Sequence, residues 1–177
     1  MYIPIKGIFK PLKKEKMILH VSRFTEPSEW ADKAHRQMLQ VFRMYQNDLQ
    51  DWTFVMAGAL DPNMEDYFNE LTYRAVPQRT MFYMNLTDLE LANLYGRASF
   101  YWHATGISLP HIPSAQEHLG LAPLEAQAAG CVPVVLNSGG MPEVVVHGKT
   151  GALVDDARQL GQITVQLSRD WSAWSGL

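Results

Sequence analysis

Apolar and polar positions follow two periods in this chain, and the periods take turns. Residues 17–21 are a short apolar run closed by Ser22-Arg23, which reads as a strand. From Ala31 onward, Ala34, Met38, Val41, Phe42, Tyr45 and Leu49 keep helical spacing, with Lys33, Arg36, Gln40 and Arg43 on the other face, so a long amphipathic helix is predicted. Further strands are predicted at 52–57, 81–84, 100–103, 132–136 and 152–154. Further helices are predicted at 64–73, 88–97, 121–129 and 156–167, with one helical turn at 142–146. Thr87 and Glu90 have the spacing of a capping box at the start of the 88–97 helix. Strand alternating with helix predicts an α/β domain, a mostly parallel sheet with helices on both faces.

Ligands of an open parallel sheet bind beyond the carboxyl ends of its strands. The candidate residues fall there: Arg23 after the first strand, Gly58 after the second, Asn85 after the third, 103–125 after the fourth and 137–140 after the fifth. Unrelated surface residues would be scattered over both ends.

At 177 residues the chain is the size of one domain. A net charge of −3 argues against nucleic-acid binding. No apolar run suits a transmembrane helix and residues 1–16 lack a signal-peptide core, so a cytoplasmic protein is expected, at most touching the membrane face. Pro4, Gly7 and Pro11, with Lys10, Lys13, Lys14 and Lys16, make 1–16 a linker or exposed approach to a domain at 17–177. The lysines read as solvated surface, with contact to an anionic membrane as the functional alternative. Cys131 is the single cysteine, which rules out an internal disulfide; before an apolar strand it reads as a core residue. The sequon Asn85-Leu86-Thr87 matters only in a secreted protein. Trp171 and Trp174 near the end are expected to pack on this domain or on a partner surface.

The densest chemistry lies in Glu117-His118-Leu119-Gly120-Leu121-Ala122-Pro123-Leu124-Glu125, two acids separated by seven residues across a loop that turns into a helix. Pro123 suits the first helical turn, and the N–H groups around Gly120 and Leu121 are the unpaired donors that favour anions such as phosphate. The acids are either favourable helix-start charges or acceptors for sugar hydroxyls. On spacing alone both readings stand.

Taken with Trp102-His103-Ala104, Glu125-Ala126-Gln127-Ala128-Ala129-Gly130, Val132-Pro133-Val134-Val135 and Gly139-Gly140-Met141-Pro142-Glu143, this stretch resembles the donor-binding domain of family 4 retaining glycosyltransferases. Their fold, GT-B, joins two Rossmann-like domains. The likeness is dense over 101–155 and looser before it, where Ser22-Arg23-Phe24 and Lys33-Ala34-His35 resemble the family's Gly-Arg and Lys-Gly phosphate-binding elements. Ser22, Ala34 and Leu119 replace a usual Gly, Gly and Phe.

The resemblance implies that Arg23 and Lys33 neutralise the leaving nucleoside diphosphate. It also implies that Glu117 holds donor-sugar hydroxyls and Glu125 the ribose. Gly120 and Leu121, with Leu119 beside them, would meet phosphate through their backbone. His103 would contact the sugar, and Met84 and Asn85 would border the base. The implied partners are a UDP-, GDP- or ADP-sugar, an acceptor sugar or glycolipid, and a missing N-terminal Rossmann domain. Gly139 and Gly140 offer either backbone donors or a tight turn.

No Asp-x-Asp pair is present to hold a metal on a diphosphate, and His103, His111 and His118 match no metal-ligand spacing, so a metal-independent mechanism without cofactor is expected. Gly148-Lys149-Thr150 mimics the end of a Walker A loop, but Glu143 stands where that motif needs Gly. No Gly-x-Gly-x-x-Gly follows the first strand, which disfavours a dinucleotide oxidoreductase. The remaining rivals are a non-catalytic nucleotide-sugar module and a GT-B epimerase or phosphorylase; retention of both Glu117 and Glu125 favours transfer.

Overall fold

A computed structural model describes residues 5–170; the expectation for Trp171 and Trp174 lies outside the described residues. Strands β1 (Glu15–Val21), β2 (Thr53–Gly58), β3 (Thr80–Met84), β4 (Ala98–His103), β5 (Val132–Leu136) and β6 (Ala152–Val154) alternate with helices. The helices are α1 (His35–Met44), α2 (Glu65–Arg74), α3 (Asp88–Arg97), α4 (Leu121–Ala128), α5 (Met141–Val144) and α6 (Ala157–Arg169). All neighbouring strands are parallel, in the order β3-β2-β1-β4-β5-β6. The winding reverses between β1 and β4, so the crevice of this doubly wound sheet opens at their carboxyl ends.

Successive side chains of a strand point to opposite faces, and in the central strands both faces are apolar. Ile18, Phe54, Met56, Phe100, Trp102 and Val134 pack with residues of α1, α2 and α6 on one face. Leu19, Val55, Ala57 and Tyr101 pack with residues of α3 and α4 on the other. The capping box of α3 is formed in both directions, Thr87 Oγ1 accepting from the Glu90 N–H and Glu90 Oε2 from the Thr87 N–H.

The first helix is shorter than its periodicity predicts. Ala34 is buried at a helix-like spacing but serves as the N-cap of α1 in a left-handed conformation (φ 61°). Asp32 Oδ1 accepts the Ala34 N–H at 2.7 Å and fixes this turn. At the other end Leu49 is buried on a turn after α1 has stopped at Met44, so the apolar spacing outlasts the helix.

The start of the chain also differs from expectation. Phe9 is buried with its ring edge-on to Tyr95, so this approach packs against the domain. Lys14 belongs to the core rather than to the solvated surface. Its ammonium donates to Ala98 O (2.8 Å) and Ala129 O (2.6 Å), carbonyls at the C-terminal ends of α3 and α4. Burial lowers its pKa, and burial likewise pushes the neighbouring Cys131 thiol up to about 12. Cys131 is therefore an inert core residue. The Gly148-Lys149-Thr150 turn precedes β6, at the amino end of the sheet, far from the strand-then-helix setting a phosphate loop requires.

Candidate functional site

The loop leaving β1 is zipped to the one leaving β2. Ser22 N–H donates to Ala57 O and Phe24 N–H to Ala59 O. Gly58 allows this approach, since a Cβ there would overlap the Ser22 carbonyl oxygen. Arg23 is thereby held at the crevice, exposed and with no ion pair among the described residues. The loop then runs to Lys33, just before α1, which brings its ammonium back toward the segment following β4.

There Lys33 Nζ lies 3.9 Å from Glu117 Oε2, and His103 Nε2, from the end of β4, lies 3.4 Å from the same oxygen. Glu117 Oε1 accepts the Gly120 N–H at 3.3 Å. Three favourable neighbours outweigh partial burial, and the Glu117 carboxyl is held down at about 2 by His103 first, then by the Gly120 N–H and Lys33. It is ionised throughout the physiological range. His103 is buried, and among the described residues neither ring nitrogen has a hydrogen bond of good geometry. A buried imidazole with unspent capacity beside a carboxylate calls for an explanation.

Gly120 (φ 66°) is the N-cap of α4, and no side chain caps that helix. The N–H groups of Leu121 and Ala122 head it, so a local positive potential faces the crevice. The side chains of Leu119 and Leu121 are exposed. Behind this segment the Gly139-Gly140 turn presses on it: a Cβ on either glycine would overlap the Glu117 or His118 carbonyl oxygen, and Gly140 N–H donates to Glu117 O at 2.7 Å. The pair is required for close approach, which keeps Glu117 in place. Glu125, in the second turn of α4, is half-buried, and burial raises its pKa, with Tyr95 and Lys6 acting in the opposite sense.

Asn85 closes β3. Its N–H donates to Gly58 O, its side-chain oxygen accepts the Leu60 N–H, and its φ is 53°. Its polar groups are thus largely spent on fastening the β2 and β3 ends, leaving its carbonyl and the exposed Met84 beside it. His111 and His118 are exposed, and neither pairs with Glu117.

A buried network that the sequence pattern does not reveal underlies the Arg23 loop. His20 Nδ1 lies 2.9 Å from Trp102 O and His20 Nε2 lies 2.8 Å from Ser22 Oγ. Ser22 Oγ lies 2.9 Å from His35 Nε2, and His35 Nδ1 lies 3.1 Å from the Tyr67 hydroxyl. A carbonyl only accepts, so His20 carries its proton on Nδ1, and its bare Nε2 accepts from the Ser22 hydroxyl. Ser22 Oγ, its proton spent, accepts from His35 Nε2–H, which leaves His35 Nδ1 to accept from Tyr67. With both imidazoles neutral, the Trp102 carbonyl, which can only accept, sets the direction of every bond in the chain.

The strand order and the crevice define the class of the protein: an α/β domain of the Rossmann kind, matching one half of the GT-B glycosyltransferases. A family model described as "Glycosyl transferases group 1" matches residues 5–163, and the chain belongs to that family. An uncharacterised glycosyltransferase of Methanocaldococcus jannaschii is 32% identical over 141 residues, covering 79% of this chain and 32% of the relative. The chain spans about a third or less of the curated relatives it matches. The C-terminal domain of the group 1 glycosyltransferase LpcC from Francisella tularensis superposes with a TM-score of 0.72 at 19% identity, covering 96% of this chain and 89% of that domain. Anabaena HepE, solved in complex with UDP and glucose, superposes with a TM-score of 0.69 at 20% identity, covering 96% of this chain and 42% of that one. Among the described residues no helix is long and apolar enough to cross a membrane.

Proposed function

We propose that this domain binds the nucleotide-sugar donor of a retaining, metal-independent hexosyltransferase, the donor being a UDP-, GDP- or ADP-sugar. The observation that carries the reading is the convergence at the β1/β4 crevice of an ionised Glu117, a buried His103 with unspent nitrogens, Lys33 and the uncapped start of α4. HepE, of similar fold, binds UDP and glucose, which supports the ligand class.

In this reading Arg23, Lys33 and the Leu121 and Ala122 N–H groups face the diphosphate. Negative charge accumulates on that leaving group as the glycosidic bond breaks, and preorganised positive charge lowers the barrier. Glu117 and His103 hold the donor-sugar hydroxyls, Glu125 the ribose, and Met84 and Asn85 border the base. Neither glutamate has to act as a general base. An acceptor sugar or glycolipid is positioned mainly by a second, N-terminal Rossmann-like domain.

Calorimetric titration with UDP-, GDP- and ADP-sugars tests the reading. One of these donors is expected to bind saturably, with its affinity unchanged by a metal chelator. Failure of all three to bind would contradict donor binding, and a large loss on chelation would contradict metal independence.

A further inference from the structure

A cavity of about 560 Å3 adjoins this site at the carboxyl ends of β5 and β6. The candidate donor residues run across the sheet from Asn85 after β3, through Arg23 after β1, to His103 and Glu117 after β4. The cavity continues that row past Glu117, and His118 and Gly139 in its wall neighbour the Glu117 backbone.

Its shape is built in. The Gln116 side-chain amide donates to Leu109 O (2.8 Å) and Gly106 O (3.3 Å), while its oxygen accepts the Ser138 hydroxyl at 2.7 Å. One side chain thus folds the loop after β4 and pins it to the end of β5, so the cavity walls are held before any ligand arrives, as in most small-molecule sites.

The lining selects a chemical class. Ile107, Pro113 and Leu136 present apolar plates, and His118, Asn137 and Asp155 present donors and acceptors. Asn137 spends one amide hydrogen on Asp155 Oδ1 at 3.1 Å, and both side chains retain further capacity. Among the described residues the lining contains no Lys or Arg to hold a phosphate, and Asp155 repels one; among them it contains no Phe, Tyr or Trp on which a base would stack. Apolar faces with hydroxyl-sized polar contacts at the rim suit a pyranose ring, and the volume lies within the roughly 300–1,000 Å3 of small-molecule sites.

We propose that this cavity is a subsite for a neutral pyranose unit of the acceptor. The acceptor assignment rests on the donor reading above; the carbohydrate chemistry of the cavity does not. The test is an amide-resolved NMR titration of the chain with the methyl α-glycosides of glucose, mannose and galactose, on the order of tens of millimolar. At least one glycoside is expected to shift the Gly106, Asn137 and Gly139 amides saturably, with whichever of UDP, GDP and ADP the chain binds taken up alongside it rather than displacing it. Asn137→Ala and Asp155→Ala are each expected to weaken glycoside binding about ten-fold while leaving the response to that nucleotide unchanged. No saturable shift, shifts confined to residues around Glu117 and Gly120, or displacement by that nucleotide would overturn the subsite. A retained glycoside response with no response to any nucleotide would sink the donor reading instead and, with it, the acceptor assignment.

Discussion

Burial decides the protonation of the two imidazoles that join β1 to α1. His35 is held near 4, below its ordinary 6.5, by desolvation first, with Lys33 and Arg36 adding to the effect and Asp32 opposing it. His20 is lowered as well, by desolvation and then by His35, His103 and Lys33, against the Trp102 carbonyl. Unfolded, both imidazoles take up protons from about pH 6.5 downward; folded, His35 refuses its proton until about pH 4, and His20 is shifted in the same direction. Stability is therefore full above 6.5 and falls as pH drops through that window, by at most about 1.4 kcal/mol per pH unit per imidazole. Chemical denaturation at successive pH values checks this, and a flat profile between 6.5 and 4 would contradict it. Ser22→Ala strips one partner from each imidazole and is expected to cost about 2 kcal/mol in the same assay at neutral pH. None of this was legible in the sequence, because the partners of the network stand 82, 13 and 32 positions apart. A histidine inside an otherwise apolar strand run, as His20 is, was the one available signal.

At the scale of elements, contacts between near neighbours show in the sequence and long-range ones do not. The α3 capping box involves residues three positions apart and was legible for that reason. The start of α1 was not, since Ala34 is buried like a helical residue but is forced into a left-handed turn by the Asp32 contact. Lys14 escaped for the opposite cause. It stands among other lysines and reads as surface, yet it meets the carbonyl ends of two helices that lie 84 and 115 positions away. Cations at helix C-termini stabilise, and a buried ammonium with satisfied donors does so with little solvent screening. Lys14→Ala leaves those carbonyls unpaired and is expected to destabilise the domain by about 2 kcal/mol, read as a fall in the denaturation midpoint. An unchanged midpoint would show that water replaces the ammonium without cost. In the candidate site, the Glu117–Glu125 segment and Arg23 were visible in the sequence. The role of Gly139-Gly140 emerged only from the packing of one loop on another.

At the scale of the whole molecule, the proposed function makes this chain one wall of a cleft. Transfer needs an acceptor hydroxyl held at attack distance, and such positioning contributes a large part of barrier reduction. The chain spans about a third of the length of its Methanocaldococcus relative and matches 42% of HepE. We expect the isolated chain to bind its donor weakly, since half of the cleft stands open to water, and to transfer no sugar. Incubation with the preferred donor and a panel of sugar and glycolipid acceptors, followed by product analysis, checks this. Robust transfer would contradict the two-domain account.

We propose that Glu125 reads the ribose and Glu117 the sugar, and paired calorimetry on the two variants tests this most directly. Hydrogen bonds to charged groups are worth about 1.5–3 kcal/mol, so each loss is measurable. Glu125→Ala is expected to weaken the nucleoside diphosphate and the nucleotide-sugar alike, because ribose is common to both. Glu117→Ala is expected to spare the nucleoside diphosphate and weaken the nucleotide-sugar about ten-fold or more. Equal losses on both ligands for both variants would contradict the division of roles.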